Sequence, residues 1–304
     1  MSDTNVHQNQ SHDEINLKEL LTVLLDNKKI IFILISLFSL SSVIFSLLAK
    51  EQWVSTALLT SASETGVSAS SQGGGLAAIA GINLSKNSTS PTSKAMATIK
   101  SRDFFSHLLS FDGVLENIMA FQEYDKGAKK TIFNSEIFDP TSKNWKIGAK
   151  PTDLEAYVLY RGMLGISSEK ITNFITITIE HGSPVFAAEF LSLIIREVNE
   201  LSRQRDLSES KESLDYLYTQ LETVVQSDVQ LAVSQLIETQ LKKQMMAKVK
   251  RNYILQPIDT PFIPELRNSP KRTQMVIIGT LLGFIFSIMF VVSRYYLLKS
   301  YHND

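Results

Sequence analysis

Two stretches of the chain carry no charge. Residues 30–48 read IIFILISLFSLSSVIFSLL and residues 275–292 read MVIIGTLLGFIFSIMFVV. At 1.5 Å per residue, each is long enough to cross about 30 Å of hydrocarbon as a helix. Core helices of soluble domains usually keep a polar face, whereas the only polar side chains here are serines and one threonine. Both stretches therefore read as membrane spans. Twenty-nine mostly polar residues precede the first, its apolar run is too long for a signal peptide, and SLLAKEQ is a poor cleavage site. An anchor that stays in place is expected.

The pattern changes between the spans. WVSTALLT at 53–60 is β-branched and apolar and predicts a strand. Residues 94–120 predict one or two short helices. Thr152-Asp153-Leu154-Glu155, following Pro151, is a capping box opening a helix that runs to about Met163. Residues 164–168 and 173–180 predict two strands around a turn at Glu169 and Lys170. In the second, Ile175, Ile177 and Ile179 point one way, Thr176 and Thr178 the other. Residues 252–259 predict a further strand. Three or four strands with several helices make a small α+β domain.

Ser183 and Pro184 then form a helix start, N-cap followed by N1. From Val185 to Gln256 there is neither glycine nor proline for 72 residues. Apolar residues recur at helical spacing at Ile194, Val198 and Leu201, then at Leu207, Leu214, Leu217, Leu221, Val224 and Leu231. A bend is expected at Gln226-Ser227-Asp228, which gives a helix of about 65 Å over 184–227. A small domain cannot cover so long a stripe, so it needs a return helix, neighbouring subunits, or both.

After the last strand comes PFIPELRNSPKR, residues 261–272. Proline removes a backbone donor, fixes φ, and pushes the residue before it to extended geometry. Pro261, Pro264 and Pro270 thus predict a stiff strap joining the soluble domain to the second span. Lys271 and Arg272 fall where lipid head groups begin. In the second span Gly279, Gly283 and Ser287 recur every four residues and share one helix face, a pattern that lets helices approach closely in lipid. Ser39, Ser42 and Ser46 make a comparable stripe on the first span, its candidate partner.

Charge and composition mainly exclude. The 304 residues carry a net charge of −1, which gives no sign of nucleic-acid binding. There is no cysteine, and the five histidines (His7, His12, His107, His181, His302) have no metal-ligand spacing beyond one pair in a polar tail. No metal or cofactor is expected. Gly73, Gly75 and Ala78 match G-x-G-x-x-A, but no acid stands between Glu64 and Asp103 for the ribose of a dinucleotide. The Ser-, Gly- and Ala-rich stretch around them reads as a loop. No phosphate-binding P-loop and no G-x-S-x-G nucleophile motif occurs. Flanking cations barely choose an orientation: Lys18, Lys28, Lys29, Arg294 and Lys299 stand against Lys50, Arg267, Lys271 and Arg272. Tyr295, Tyr296 and Tyr301 read as interfacial aromatics.

In chain order, INLKELLTVLLDNKKIIF, WVSTALL, ITITIEHGSPVFAAEFL and DTPFIPELRNSPKR, the last running straight into a final apolar helix with Gly279-x-x-x-Gly283, resemble the Wzz chain length determinants. These are the kinase-free bacterial polysaccharide co-polymerases. The resemblance implies an α/β base beside the inner membrane with a long helix protruding into the periplasm. It also implies a homo-oligomeric ring and control of the modal length of O-antigen or a related polysaccharide made by a Wzy-type polymerase. Partners would be further copies, that polymerase, the nascent polysaccharide and the inner membrane. The implied layout is a cytoplasmic segment at 1–29, a span at 30–48, a base domain at 49–183 and the long helix with its return at 184–250. A strand and Pro-rich strap at 251–274 complete the base, followed by a span at 275–292 and a cytoplasmic tail at 293–304. The 72-residue helical region is shorter than in the longest family members. The expected role is regulatory and not enzymatic. The alternative is a membrane adaptor that activates a separate cytoplasmic tyrosine kinase in capsule or exopolysaccharide export. An enzyme of envelope glycan synthesis is the least favoured reading, because no catalytic constellation stands out.

Overall fold

The structure, a computed structural model, describes residues 17–62, 90–169 and 171–302. Gly73, Gly75, Ala78 and Lys170 lie outside the described residues. The chain divides into two compact units, Gln52–Asn268 and a second made of Met1–Glu51 with Ser269–Asp304.

The larger unit is built on a four-stranded antiparallel sheet. Its strands are β1 (Trp53–Ser61), β6 (Leu164–Ser168), β7 (Ile175–His181) and β8 (Leu255–Asp259), in the order β6-β7-β1-β8. The side chains alternate as the sequence predicts. Trp53, Ser55, Ala57, Leu59 and Ser61 of β1 are buried with Ile175, Ile177, Ile179 and His181 of β7. Registered pairs such as Ala57 with Ile177 put these residues on one face.

Helices pack on that face. Residues 94–120 form three, not one or two: α3 (Pro91–Ile99), α4 (Arg102–Leu108) and α5 (Val114–Met119). The extra breaks come from Ser101, whose side chain caps α4, and Gly113, whose φ of 82° starts α5. α6 (Asp153–Met163) opens on the expected capping box, Thr152 and Glu155 each bonding the other's backbone N–H. Phe105, Tyr160 and Phe190 join the core, with the Phe105 and Tyr160 rings stacked at 4.7 Å. The Tyr160 hydroxyl is satisfied by donating to Ile99 O at 2.7 Å.

Two small hairpins lie between α5 and α6, where the sequence predicted nothing: β2 (Phe121–Asp125) with β3 (Lys130–Phe133), and β4 (Phe138–Asp139) with β5 (Asn144–Trp145). Phe121 lies against Gly182, where any side-chain carbon would enter the phenyl ring.

The long helix is α7 (Pro184–Thr223), 40 residues and about 60 Å. Ser183 accepts from the Phe186 N–H at 3.4 Å, and Pro184 occupies the first turn. The helix ends three residues before the expected bend, because Val224, with ψ of 123°, has left helical geometry. Two adjacent β-branched valines favour that exit, and the Gln230 side chain donates to Val224 O at 2.8 Å. The return helix α8 (Ser227–Val249) packs on α7 through Leu214, Val233 and Ile237, flanked by Leu217 and Leu221. Lys243 pairs with Asp206 at 3.1 Å and with Glu209 at 3.5 Å across the same hairpin.

The smaller unit holds α1 (Leu17–Asp26), α2 (Lys28–Leu48) and α9 (Arg272–His302). Stretches of α2 and α9, Lys28–Leu48 and Arg272–Tyr295, are long and apolar enough to cross a membrane. α9 is longer than the uncharged run because nothing in SRYYLLKSYH breaks a helix.

Candidate functional site

Two places carry the residues singled out in the sequence, one in each unit. In the larger unit β8 pairs with β1 only from Leu58 to Ser61. The first half of that β1 edge is left for the strap. A segment with two prolines in four residues cannot form a regular ladder, since each proline lacks a donor. Contact is made instead by the buried Ser55, whose hydroxyl donates to Phe262 O at 2.8 Å, and by the Asn268 N–H, which donates to Gln52 O at 2.9 Å. Pro264 is buried and Pro261 half-buried against this edge, while Phe262, Ile263 and Leu266 remain exposed. The strap divides at Asn268, so Pro270, Lys271 and Arg272 fall in the smaller unit.

In the smaller unit Pro270 is buried, its bond to Ser269 is cis, and Lys271 is exposed. Arg272 opens α9, where a cation opposes the helix dipole. Glu51 offsets it, with its Oε1 3.4 Å from Arg272 Nη2. Further along, α9 lies directly on α2. A Cβ at Gly279 would overlap the Ser42 side chain, and one at Gly283 would stand 2.6 Å from Phe38 Cβ and 3.6 Å from Ile35 Cα. Ser42 Oγ donates to Met275 O at 2.8 Å, and the Phe38 and Phe286 rings lie 5.3 Å apart. Ser287 is fully buried but donates to Phe284 O within its own helix. Ser46 is buried as well, and Ser39 is half-buried. The structure thus brings Gly279 to Ser42, whereas Gly283 meets Ile35 and Phe38 rather than a serine. Those two apolar residues carry no signal within a uniformly apolar run.

Other polar residues that the sequence did not mark hold the larger unit together. Asn199, buried on α7, donates to Leu255 O at 2.9 Å and accepts from the N–H groups of Tyr253, Ile254 and Leu255 at 3.1, 2.8 and 2.9 Å. It fixes where β8 joins the sheet. His181 ends β7 between the rings of Phe121 and Phe186, with Nε2 3.0 Å from Asn117 O and Nδ1 accepting from the Ser183 N–H at 3.0 Å. Burial holds its pKa down at about 4, against only partial opposition from these bonds. Burial pushes the Glu197 carboxyl up, but hydrogen bonds from His107 and Arg196 outweigh it, and the net shift is downward. Burial pushes the Tyr253 hydroxyl well above its usual range, and its bond to Asp206 adds to the shift.

Residues 13–110, about a third of the chain, match the family model described as Wzz, chain length determinant protein. The match takes in α2 and β1. No curated protein matches the chain. Solved structures similar to this chain include the following three. A full-length bacterial polysaccharide co-polymerase is 16% identical over 93% of this chain and 99% of its own, with a TM-score of 0.41. A fragment of the WzzB co-polymerase from Salmonella Typhimurium is 16% identical over 72% of this chain and 100% of its own, at 0.30. A point mutant of the Shigella flexneri lipopolysaccharide O-antigen chain-length regulator is 13% identical over 72% and 100%, at 0.20.

Proposed function

We propose that this chain, which carries the Wzz pattern through its first membrane helix and first strand, is a non-enzymatic regulator of polysaccharide chain length in the bacterial inner membrane. In this reading α2 and α9 span the bilayer, both termini are cytoplasmic, and the larger unit stands in the periplasm. Copies assemble into a ring beside a Wzy-type polymerase that makes O-antigen or a related surface polysaccharide. The observation that carries the reading is the family match over residues 13–110. The strap fastened along β1 within the larger unit and the close packing of Gly279 and Gly283 on α2 within the smaller one support it, because both fall on the residues that carry the resemblance.

The test is electrophoresis of surface polysaccharide from a deletion strain and from strains complemented with variants. Deletion is expected to leave polymer of unregulated, mostly short length. Pro261→Gly, Pro264→Gly and Pro270→Gly together broaden the distribution while polymer is still made, because glycine restores the conformers that proline removes. Gly279→Leu with Gly283→Leu disturbs assembly or length control. Loss of all polymer on deletion replaces this reading with a catalytic one. Length control that vanishes only with a separate tyrosine kinase replaces it with an adaptor.

A further inference from the structure

A groove of about 650 Å³ opens within the larger unit between α3, α4 and α7. Its α7 wall runs from Leu201 to Arg205, directly after the run of buried residues that ends at Asn199. The facing wall comes from the end of α3 and from α4.

Three charged side chains stand around this groove without a counter-charge. Lys94, Asp103 and Arg205 are exposed, and none has an ion pair or a side-chain hydrogen bond among the described residues. Neighbouring charges on the same long helix do pair: Arg203 meets Glu200 at 2.7 Å, and Asp206 meets Lys243 at 3.1 Å. The hydroxyls of Thr98 and Ser202 in the groove are likewise unengaged among the described residues. Ser101 is already spent, accepting from the Phe104 N–H at 3.2 Å and donating to Thr98 O at 2.8 Å. His107 is held by Glu197 at 2.9 Å.

The apolar part of the wall is small. It consists of Ala97, half-buried Leu201 and the buried Phe104. An apolar peptide anchor finds little to fill here, and a nucleobase finds no exposed benzenoid ring to stack on. Hydrogen bonds and charge must carry binding. The volume lies in the usual range for ligand sites, about 300–1,000 Å³. A ligand that suits these groups brings many hydroxyls, for Asp103, Thr98 and Ser202. It also brings negative charge, for two cations set against one acid.

We propose that this groove binds a segment of an acidic glycan, with Lys94 and Arg205 holding its carboxylates and Asp103, Thr98 and Ser202 engaging its ring hydroxyls. This rests on the reading of the chain as a regulator of polysaccharide length, and gives that polymer a place to touch it. An occupied groove ties α3 and α4 to the first turn of α7 beyond the core.

The test uses the full chain in nanodiscs. The sequence has no cysteine, so Ala97→Cys supplies a single thiol for an environment-sensitive fluorophore. The probes are oligogalacturonate, a neutral malto-oligosaccharide of equal length, and oligoglutamate. Oligogalacturonate gives a saturable change in emission that weakens as salt rises, and the other two do not. Lys94→Glu with Arg205→Glu weakens its binding by about tenfold or more, the scale of one lost bond to a charged group. Asp103→Asn weakens it less. Melting temperatures equal to the parent's show that these exposed variants remain folded. The same label at Tyr218→Cys, on the far half of α7, stays silent. In the unlabelled chain, bound oligogalacturonate slows hydrogen exchange at residues 94–107 and 201–205. An equal response to the neutral sugar, an equal response to oligoglutamate, or no saturable response by either method overturns the proposal. Surface polysaccharide from the deletion strain separates the two readings. Unchanged lengths with saturable binding remove the regulator and leave the groove; altered lengths without binding remove the groove and leave the regulator.

Discussion

The two halves of α7 share one helix and little else. From Pro184 to Asn199 it is part of the core, burying Phe186, Phe190, Leu191, Ile194 and Val198 against the sheet. From residue 200 to Thr223 only Ser210 and Leu214 are buried, and the return helix adds Val233 and Ile237 to a seam a few side chains wide. Tyr216, Leu231, Met245 and Val249 stay exposed along the hairpin. The near half is held by non-local burial, the far half by helix propensity, a thin seam and charge pairs. A single chain leaves the far half under-covered, and the proposed assembly of copies supplies what is missing there.

The contrast sets an order of effects. Phe190→Ala removes a fully buried ring and is expected to cost about 3–5 kcal/mol, read by denaturant unfolding in detergent. A loss no larger than that of a far-half variant breaks the comparison. His181 sharpens it at the near end. Its folded pKa, about 4, lies below the ordinary 6.5, so the neutral ring is the form the fold keeps. Its contribution is complete above about pH 6.5 and is lost as pH falls toward 4, on the order of 3 kcal/mol in all. Thermal melts across that range should show a larger loss in the parent chain than in His181→Gln, where carboxylates such as Glu197 still titrate but the buried imidazole does not. Leu214→Ala, in the narrow seam, is expected to cost about 2 kcal/mol, the low end for such a change, because the site borders solvent and can collapse. Hydrogen exchange should place that loss in α8 and the end of α7, with the sheet unaffected. Lys243→Ala removes exposed pairs to Asp206 and Glu209 and should cost less than about 1 kcal/mol, shrinking further with salt.

The sequence made some of this plain and hid the rest. The alternation at 175–179, the capping box at Thr152 and Glu155, and the 72 residues without glycine or proline each encode a local periodicity or cap, and each appears where it was read. The break in the long helix was placed late because Gln226-Ser227-Asp228 looks more turn-like than two valines. The hairpins at 121–145 escaped because strands of two to five residues are too short to express a period. Asn199 escaped for another reason: nothing about an asparagine in a polar helix announces four backbone partners brought from more than fifty residues away. In the two apolar helices Gly279 and Gly283 lie against α2, but Ile35 and Phe38, which they meet there with Ser42, carry nothing in the sequence that sets them apart from their apolar neighbours.

α7 is unbroken where it leaves the sheet. Asn199 and Val198 hold it on one side of that point, and about 36 Å of the same rigid rod continues on the other. A tilt of ~5° at the last buried turn moves Thr223 by ~3 Å, a distance comparable to a hydrogen bond. The helix works as a lever, with its bearing in the core and its long arm outside. Repacking a few side chains around Val198 is enough to set where its far end points.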